Sequence, residues 1–483
     1  MDKLKHVPCN MDTLKHVLPK VEKIVGPRGF LHNPEDLASY EYDGSIDKAR
    51  PDIVAFPQST ADVVALVKLA NECSLPITGR GAGTGLSGGA IAREGGLMIS
   101  FARMNRILEI DLPNERAWVE PGVVNLDLTL AVEADGYFYA PDPSSQRACT
   151  IGGNVSENSG GPHTLAYGVT TNHVLGLEVV LPDGSVLNTT GPDVPGYDLT
   201  GLLVGSEGTM ALVTKVLVRL MRKPEAIKTL LAVFNNTEDA GNTVAEITAR
   251  AITPVAVEML DGVLLRMVEE ATHAGYPLDA AAVLLIELEG LAEAVEEQTE
   301  QIREACAACN AREFRVARDA QERELLWKGR KNAFGAVGRC APSYYTQDGV
   351  VPRTQTAATL RFIYGVSERY GLTISNIFHA GDGNLHPLIL FDHRVTGQLE
   401  KVRQASDEIL NFCTSVGGSI TGEHGVGMEK NEMMAHQFPP DTLDMIARFK
   451  QLFDPQCRLN PGKVLPTGRG CMEIRQKRGD LSL

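Results

Sequence analysis

The chain has 483 residues, 43% hydrophobic and 22% charged, which is ordinary for a soluble enzyme and long enough for two or three domains with buried cores. A formal net charge of −15 argues against a nucleic-acid partner, whose phosphates it would repel. No run of about 18 apolar residues predicts a transmembrane helix, and the opening residues lead into no apolar signal-peptide stretch.

Asp2-Lys-Leu-Lys-His-Val7 returns as Asp12-Thr-Leu-Lys-His-Val17, which reads as a duplicated or mis-started leader and leaves Met1 and Met11 both open as the start. Residues 60–73 have helical apolar spacing, with Thr60 as the expected N-cap. Leu75–Thr78 is a strand that runs into the glycine-dense Arg80-Gly-Ala-Gly-Thr-Gly-Leu-Ser-Gly-Gly89. Strands follow at Gly96–Phe101 and Arg116–Val119, then a helix at Leu126–Ala134, then strands at Leu175–Leu181 and Met210–Arg219. Helix and strand alternate through 50–222, which gives an α+β or α/β domain. Pro224 marks a boundary. Residues 227–390 alternate strands (Leu230–Phe234, Ala282–Glu287) with charged helices (237–251, 290–309) and read as a second α/β domain. Cys306-Ala-Ala-Cys309 falls in the second of those helices, with no second pair to complete a metal site, and reads as structural. Nine scattered cysteines fit a reduced, cytoplasmic compartment. The tail from residue 466, with Arg475, Lys477 and Arg478, reads as a solvated end.

Gly83-x-Gly85-x-x-Gly88 matches a dinucleotide fingerprint. The Rossmann reading needs a helix directly after the loop, and Ala90–Gly96 offers none of adequate length. What survives is an anion-binding nest, because glycines let backbone N–H groups approach phosphate oxygens. Two further polar stretches support a long phosphate-bearing ligand: Pro141–Ser145 with Thr150–Gly161, and Gly205–Thr209.

His379 and His386 bracket a glycine turn, and Gly422-Glu-His-Gly425 follows. Two imidazoles and the Glu423 carboxylate are the ligand set of a catalytic Zn²⁺ or Mn²⁺, with a coordination position left for substrate. His424 is then placed to accept a proton beside the metal. On these residues alone, a hydrogen-bonded structural histidine pair stays open, and so does a metal-dependent hydrolase. Arg330 alone would pair with Glu324 on a helix surface. His163 and His173 read as structural.

The run Pro76–Gly89, with Pro141–Ser145, Thr150–Gly153 and Gly205–Gly208, resembles the flavin loops of the vanillyl-alcohol-oxidase (PCMH-type) FAD-linked oxidases. His379–His386, Gly422–Gly425 and Asn460-Pro-Gly-Lys463 resemble the C-terminal half of their 2-hydroxyacid dehydrogenase branch. His273–Pro277, Trp327–Phe334, Pro342–Tyr345 and Phe378–Asp392 extend the likeness to the catalytic FAD subunits of bacterial glycolate oxidases. The resemblance covers residues 35 to 465.

It implies an α+β fold: an N-terminal segment (1–46), then an FAD-binding domain of two α+β subdomains (47–224). A cap domain with an antiparallel sheet and helices follows (225–454), and a C-terminal segment (455–483) returns to the FAD domain. The expected FAD contacts are Arg80, Gly81, Ala82, Gly83, Thr84, Gly85, Leu86 and Ser87; Pro141, Asp142, Ser144 and Ser145; Thr150, Gly152, Gly153, Asn158 and Gly161; and Glu207, Val213 and Asn460. Thr84 stands where some relatives attach FAD through a histidine, which implies noncovalent FAD.

The implied reaction is oxidation of a small 2-hydroxy acid, with hydride passing to FAD. His379, His386 and Glu423 would hold the metal, His424 would take the hydroxyl proton, and Arg330 would bind the substrate carboxylate. Dicarboxylate-acting relatives carry a lysine near the position of Thr346, so Thr346 favours glycolate or D-lactate over D-2-hydroxyglutarate. Asp382 and Asn384 would shape the turn between the histidines. The implied partners are a smaller flavin-type subunit and an iron–sulfur subunit, with peripheral association at the inner face of the cell membrane.

Overall fold

The computed structural model describes residues 11–189 and 195–466. The first copy of the N-terminal repeat and the basic tail lie outside them. The chain forms two compact units. Among the described residues, one holds 11–159, 169–222 and 423–466, and the other holds Gly160–Gly168 and Lys223–Gly422. The return to the first unit therefore begins at Glu423, earlier than the expected 455.

The first unit contains two larger sheets and a two-stranded pairing of Tyr137–Phe138 with Met221–Arg222. In the smaller of the two larger sheets, Ile53–Ala55 and Ile77–Arg80 flank Leu97–Ser100 in parallel, and Phe30–Leu31 pairs antiparallel at the edge. The helix Thr60–Glu72 makes the parallel crossover and packs Val63, Leu66, Val67 and Ala70 into the core. Burying side chains of this size contributes about 1.5–3 kcal/mol each. Its N-cap is Ser59, whose side chain accepts the Asp62 amide, so Thr60 is already the first helical residue. Leu459 bridges to Ile77, which brings the C-terminal segment beside the same sheet. The second sheet is antiparallel, in the order Ile107–Asp111, Arg116–Val119, Leu212–Arg219, Val174–Val180, Val186–Asn188.

The second unit is built on one large antiparallel sheet. Across it run Glu313–Val316, Ala226–Phe234, Ala282–Gly290, Ala256–Asp261, Ile374–His379, Asn384–Phe391 and Ser343–Thr346. This corrects the α/β expectation drawn from helix–strand alternation: the strands are antiparallel, as the resemblance implied. The helices Gly262–Thr272, Ala320–Lys331 and Ala333–Cys340 supply Leu264, Leu265, Leu326, Trp327, Ala336 and Val337 to the core over one face. Cys306 ends up buried in the helix Ala292–Ala308, its thiol pushed up to about 12 by burial, as a structural cysteine would be. All cysteines among the described residues are free.

Candidate active site

The cross-strand registers of the second unit decide which side chains share a face. Side chains alternate along a strand, and directly paired residues point the same way. The pairs Thr229↔Glu287, Glu287↔Ala256, Glu258↔His379, His379↔Asn384 and Ile377↔His386 therefore put Thr229, Glu287, Glu258, His379, Asn384 and His386 on one face. Apolar residues of that face, Leu260, Leu285, Ile377 and Leu388, belong to the core. The polar residues gather toward one end of the strands.

His379 and His386 stand with ring centroids 5.0 Å apart and planes at 87°. Both are nearly inaccessible. His379 Nδ1 lies 2.7 Å from Glu258 Oε1, and His386 Nδ1 lies 3.1 Å from the Gln347 carbonyl oxygen. Oxygen acceptors at both Nδ1 atoms require Nδ1–H tautomers, which leaves the lone pair of each ring on Nε2. That is the preparation a histidine ligand needs, so the pair fits a divalent metal. The turn between them depends on Gly383 at φ +80°, and an added Cβ there would lie 2.2 Å from the Val351 carbonyl oxygen. Asp382 accepts the Asn384 amide at 3.1 Å, which is the expected turn-shaping role. Asn384 Nδ2 instead reaches Asp348 Oδ1 at 2.9 Å.

Arg330 is 1% exposed, so it does not lie on the helix surface beside Glu324. Its Nε donates to Glu258 Oε2 at 2.5 Å. Burial would raise the Glu258 carboxyl, but the charges of Arg330 and His379 outweigh it and hold the group below its ordinary range. Arg323, Trp327 and Arg330 recur at helical spacing on one face of Ala320–Lys331. Arg323 and Trp327 both donate to Glu287, which also accepts from Thr229 at 2.6 Å and contacts His163 Nε2 at 3.2 Å. His163, Glu287 and Glu289 have metal-compatible spacing. A carboxylate already shared by a guanidinium, an indole and a hydroxyl makes this an ion-pair hub, in line with the structural role expected for His163.

In the first unit the glycine loops converge. No helix follows the first loop; the chain goes through turns into Leu97–Ser100, so the helix a Rossmann unit needs is missing there. A Cβ on Gly81 would lie 2.3 Å from Thr150 Oγ1, so the first loop packs directly on the N-cap of Ile151–Glu157. Gly83 has φ +71° and no room for a side chain beside the Arg80 guanidinium, whereas a Cβ on Gly85 would meet only open space. Ala82 and Ser144 are exposed, Ser87 and Pro141 are buried, and Thr84, Leu86, Asp142, Ser145 and Gly153 are half-buried along these loops; Gly152 packs on Pro121. This is a cradle with open backbone at its mouth, and it fits a phosphate-bearing cofactor.

Four expected FAD contacts have their side chains committed within the protein. Asn158 Oδ1 accepts the Thr171 amide, and Val213 packs in the core. Glu207 accepts the Val426 and Gly427 amides at 2.7 and 2.6 Å. Asn460 Nδ2 donates to the carbonyl oxygens of Gly89 and Glu207 at 2.9 and 2.7 Å. Beside it, Lys463 Nζ donates to Asn460 Oδ1 and the Ile91 carbonyl, and burial lowers its pKa to about 8. Gly161 falls in the second unit, with Gly160–Gly168.

Glu423 and His424 open the returning segment of the first unit, with His424 Nε2 3.7 Å from Glu423 Oε1. That segment lies on the flavin loops: Gly427 donates to Glu207, and Met428 donates to the Ser87 carbonyl at 3.0 Å. On the other side of Glu423, the Gly422 amide donates to Asp348 Oδ2 at 2.9 Å within the second unit.

Residues 51–190 match the FAD binding domain family, and residues 223–464 match the FAD linked oxidases, C-terminal domain. The chain belongs to the FAD-linked oxidases. It is 45% identical to the glycolate oxidase subunit GlcD of Escherichia coli (strain K12), covering 92% of this chain and 90% of that one. It is 32% identical to a D-lactate dehydrogenase of Anaerostipes hadrus, over 95% of this chain and 98% of that one. The solved structure of p-cresol methylhydroxylase, 18% identical, superposes with a TM-score of 0.80 over 94% of this chain and 97% of that one. The chain is an FAD-linked oxidoreductase with the PCMH-type α+β fold.

Sequence reasoning missed Glu258, Glu287, Asp348 and Lys463. For Glu258 and Glu287 the available signal was a charged residue inside an apolar strand, as in Ala256-Val-Glu-Met-Leu260; Asp348 lies between two short strands and Lys463 in the Asn460–Lys463 motif, where that signal is absent.

Proposed function

We propose that this FAD-linked oxidase oxidises a small 2-hydroxy acid, glycolate or D-lactate, with His379, His386 and Glu423 holding a divalent metal. The observation that carries the reading is a short covalent link. Gly422 is hydrogen-bonded to Asp348, whose Oδ1 lies 3.9 Å from His386 Nδ1, and Gly427 is hydrogen-bonded to Glu207 of the flavin loops. Glu423 and His424 are thus the first residues of the chain beyond the Gly422 anchor.

Bound FAD supplies the hydride acceptor. A divalent ion bound by this donor set supplies Lewis acidity that eases loss of the alcohol proton. The chain's own residues supply the rest. His424 accepts the substrate hydroxyl proton, because imidazole titrates near working pH. Arg330 has further N–H donors beyond the Nε used by Glu258, and these orient the substrate carboxylate. Thr346, nearly buried on the strand beside His386, has a hydroxyl with no hydrogen-bond partner among the described residues. It offers a neutral donor where a second cation would suit a dicarboxylate, which favours a monocarboxylate.

The glycolate oxidase relatives are named as subunits, which supports a multi-subunit assembly here too. The carriers proposed are a smaller flavin-type subunit and an iron–sulfur subunit. No described helix is long and apolar enough to cross a membrane; a cytoplasmic protein held peripherally at the membrane is the location proposed.

The test is anaerobic reduction of the bound flavin by glycolate, D-lactate, L-lactate and D-2-hydroxyglutarate side by side. Glycolate or D-lactate should bleach it fastest. No bleaching by any of the four would overturn the assignment of a small 2-hydroxy acid as substrate.

A further inference from the structure

We propose that Glu258 is a positioning residue that sets the metal ligand His379 and the substrate-binding Arg330 against each other. The inference rests on the functional reading above. Glu258 is fully buried and directly opposite His379 across two antiparallel strands. Paired residues in such strands keep their Cβ atoms roughly 5 Å apart, so the separation is fixed by the sheet. Arg330 comes from the helix packed over the same face, as the last of the 323–327–330 set.

The carboxylate divides its oxygens: Oε1 takes the His379 Nδ1–H at 2.7 Å and Oε2 takes the Arg330 Nε–H at 2.5 Å. Arg330 Nη2 is 3.5 Å from His379 Nδ1. Both of those nitrogens carry hydrogen, so neither accepts from the other; the shared acceptor holds two donors side by side. Rotation of either partner would leave a buried carboxylate oxygen without its donor. The Nε2 lone pair of His379 and the free N–H groups of Arg330 are thus aimed by one side chain. A carboxylate behind a ligating histidine also raises the basicity of the ring and fixes its tautomer.

The test compares wild type with Glu258→Gln and Glu258→Asp. Each FAD-loaded protein is stripped of metal and titrated with Zn²⁺ and with Mn²⁺, and KM and kcat for glycolate are measured separately. Gln keeps the shape but can accept from one donor only, so metal affinity should fall about 10- to 100-fold and KM should rise, with FAD content unchanged. A purely structural ion pair would move melting temperature and FAD content without that selective loss. Wild-type metal affinity and KM in Glu258→Gln overturn the proposal and leave the functional reading standing. A wild-type protein that takes up neither metal overturns the reading and this inference with it. Should Glu258→Gln fail to fold, Glu258→Asp decides: its shorter reach cannot span both donors, and an unchanged metal affinity overturns the proposal.

Discussion

Asp348 accepts the Gly422 amide, so the residue immediately before Glu423 is anchored to an aspartate that also faces His386. The same carboxylate accepts from Thr421 Oγ1 at 2.5 Å and from Asn384 Nδ2 at 2.9 Å. Asp348→Asn would set an amide N–H₂ against groups that themselves donate. We expect a loss of about 1–3 kcal/mol per unmatched group, read in urea unfolding, together with weaker metal binding in a titration. Wild-type stability and affinity would show that the anchor carries no weight.

Asn460 ties two flavin loops through one amide group. In Asn460→Ala the Glu207 carbonyl loses its side-chain donor, the Gly89 carbonyl keeps only Lys463 Nζ at 3.5 Å, and Lys463 loses an acceptor. FAD should dissociate during gel filtration, read as a fall in the ratio of flavin to protein absorbance, and the apoprotein should lose about 1–3 kcal/mol. Full FAD retention would mean the loops hold without this clasp.

Gly81→Ala places a methyl group 2.3 Å from Thr150 Oγ1. Overpacking of this kind costs about 1–3 kcal/mol, and here the strain falls between two cofactor loops. The FAD dissociation constant should rise in an equilibrium titration. The double variant Gly81→Ala, Thr150→Ala, which removes the obstructing Oγ1 at the cost of its hydrogen bond from the Gly153 amide, should recover part of the lost affinity.

Glu287 gives a pH dependence with a definite sign. Burial would raise its carboxyl, but hydrogen bonds from His163 and Arg323 and the Arg323 charge outweigh it and hold it far below the ordinary range. As pH falls, the unfolded chain then takes up the proton first. The stability this hub contributes is therefore complete above about 4.3, the unperturbed value, and is lost as pH drops below it. Urea midpoints measured from pH 7 to pH 3 should fall for wild type and fall less steeply for Glu287→Gln. Parallel slopes would contradict the assignment.

How much of this was legible in sequence depends on range. His379–His386 was readable because a strand, a glycine turn and a strand are local, and Gly383 marks the turn. The flavin loops were readable because dense glycine is a backbone statement. Glu258 was not, because its importance lies in a register with a strand far along the chain. The antiparallel sheet came from the resemblance alone, because residue patterns misread it for a related reason. Ala226–Phe234 pairs with Ala282–Gly290 and skips Ala256–Asp261, and helix–strand alternation does not encode which strands become neighbours. Thr60 and Ser59 differ by one residue, within the ordinary uncertainty of helix ends. Glu207, Asn158 and Asn460 were expected as FAD contacts, and only hydrogen-bond geometry shows that their side chains bond within the protein.

The most direct test is anaerobic flavin bleaching by glycolate in one preparation before chelation, after metal is stripped, and after Zn²⁺ or Mn²⁺ is restored, with FAD content followed throughout. The account predicts that stripping abolishes bleaching while FAD stays bound, and that a divalent ion restores it. Undiminished bleaching in the stripped protein would contradict it.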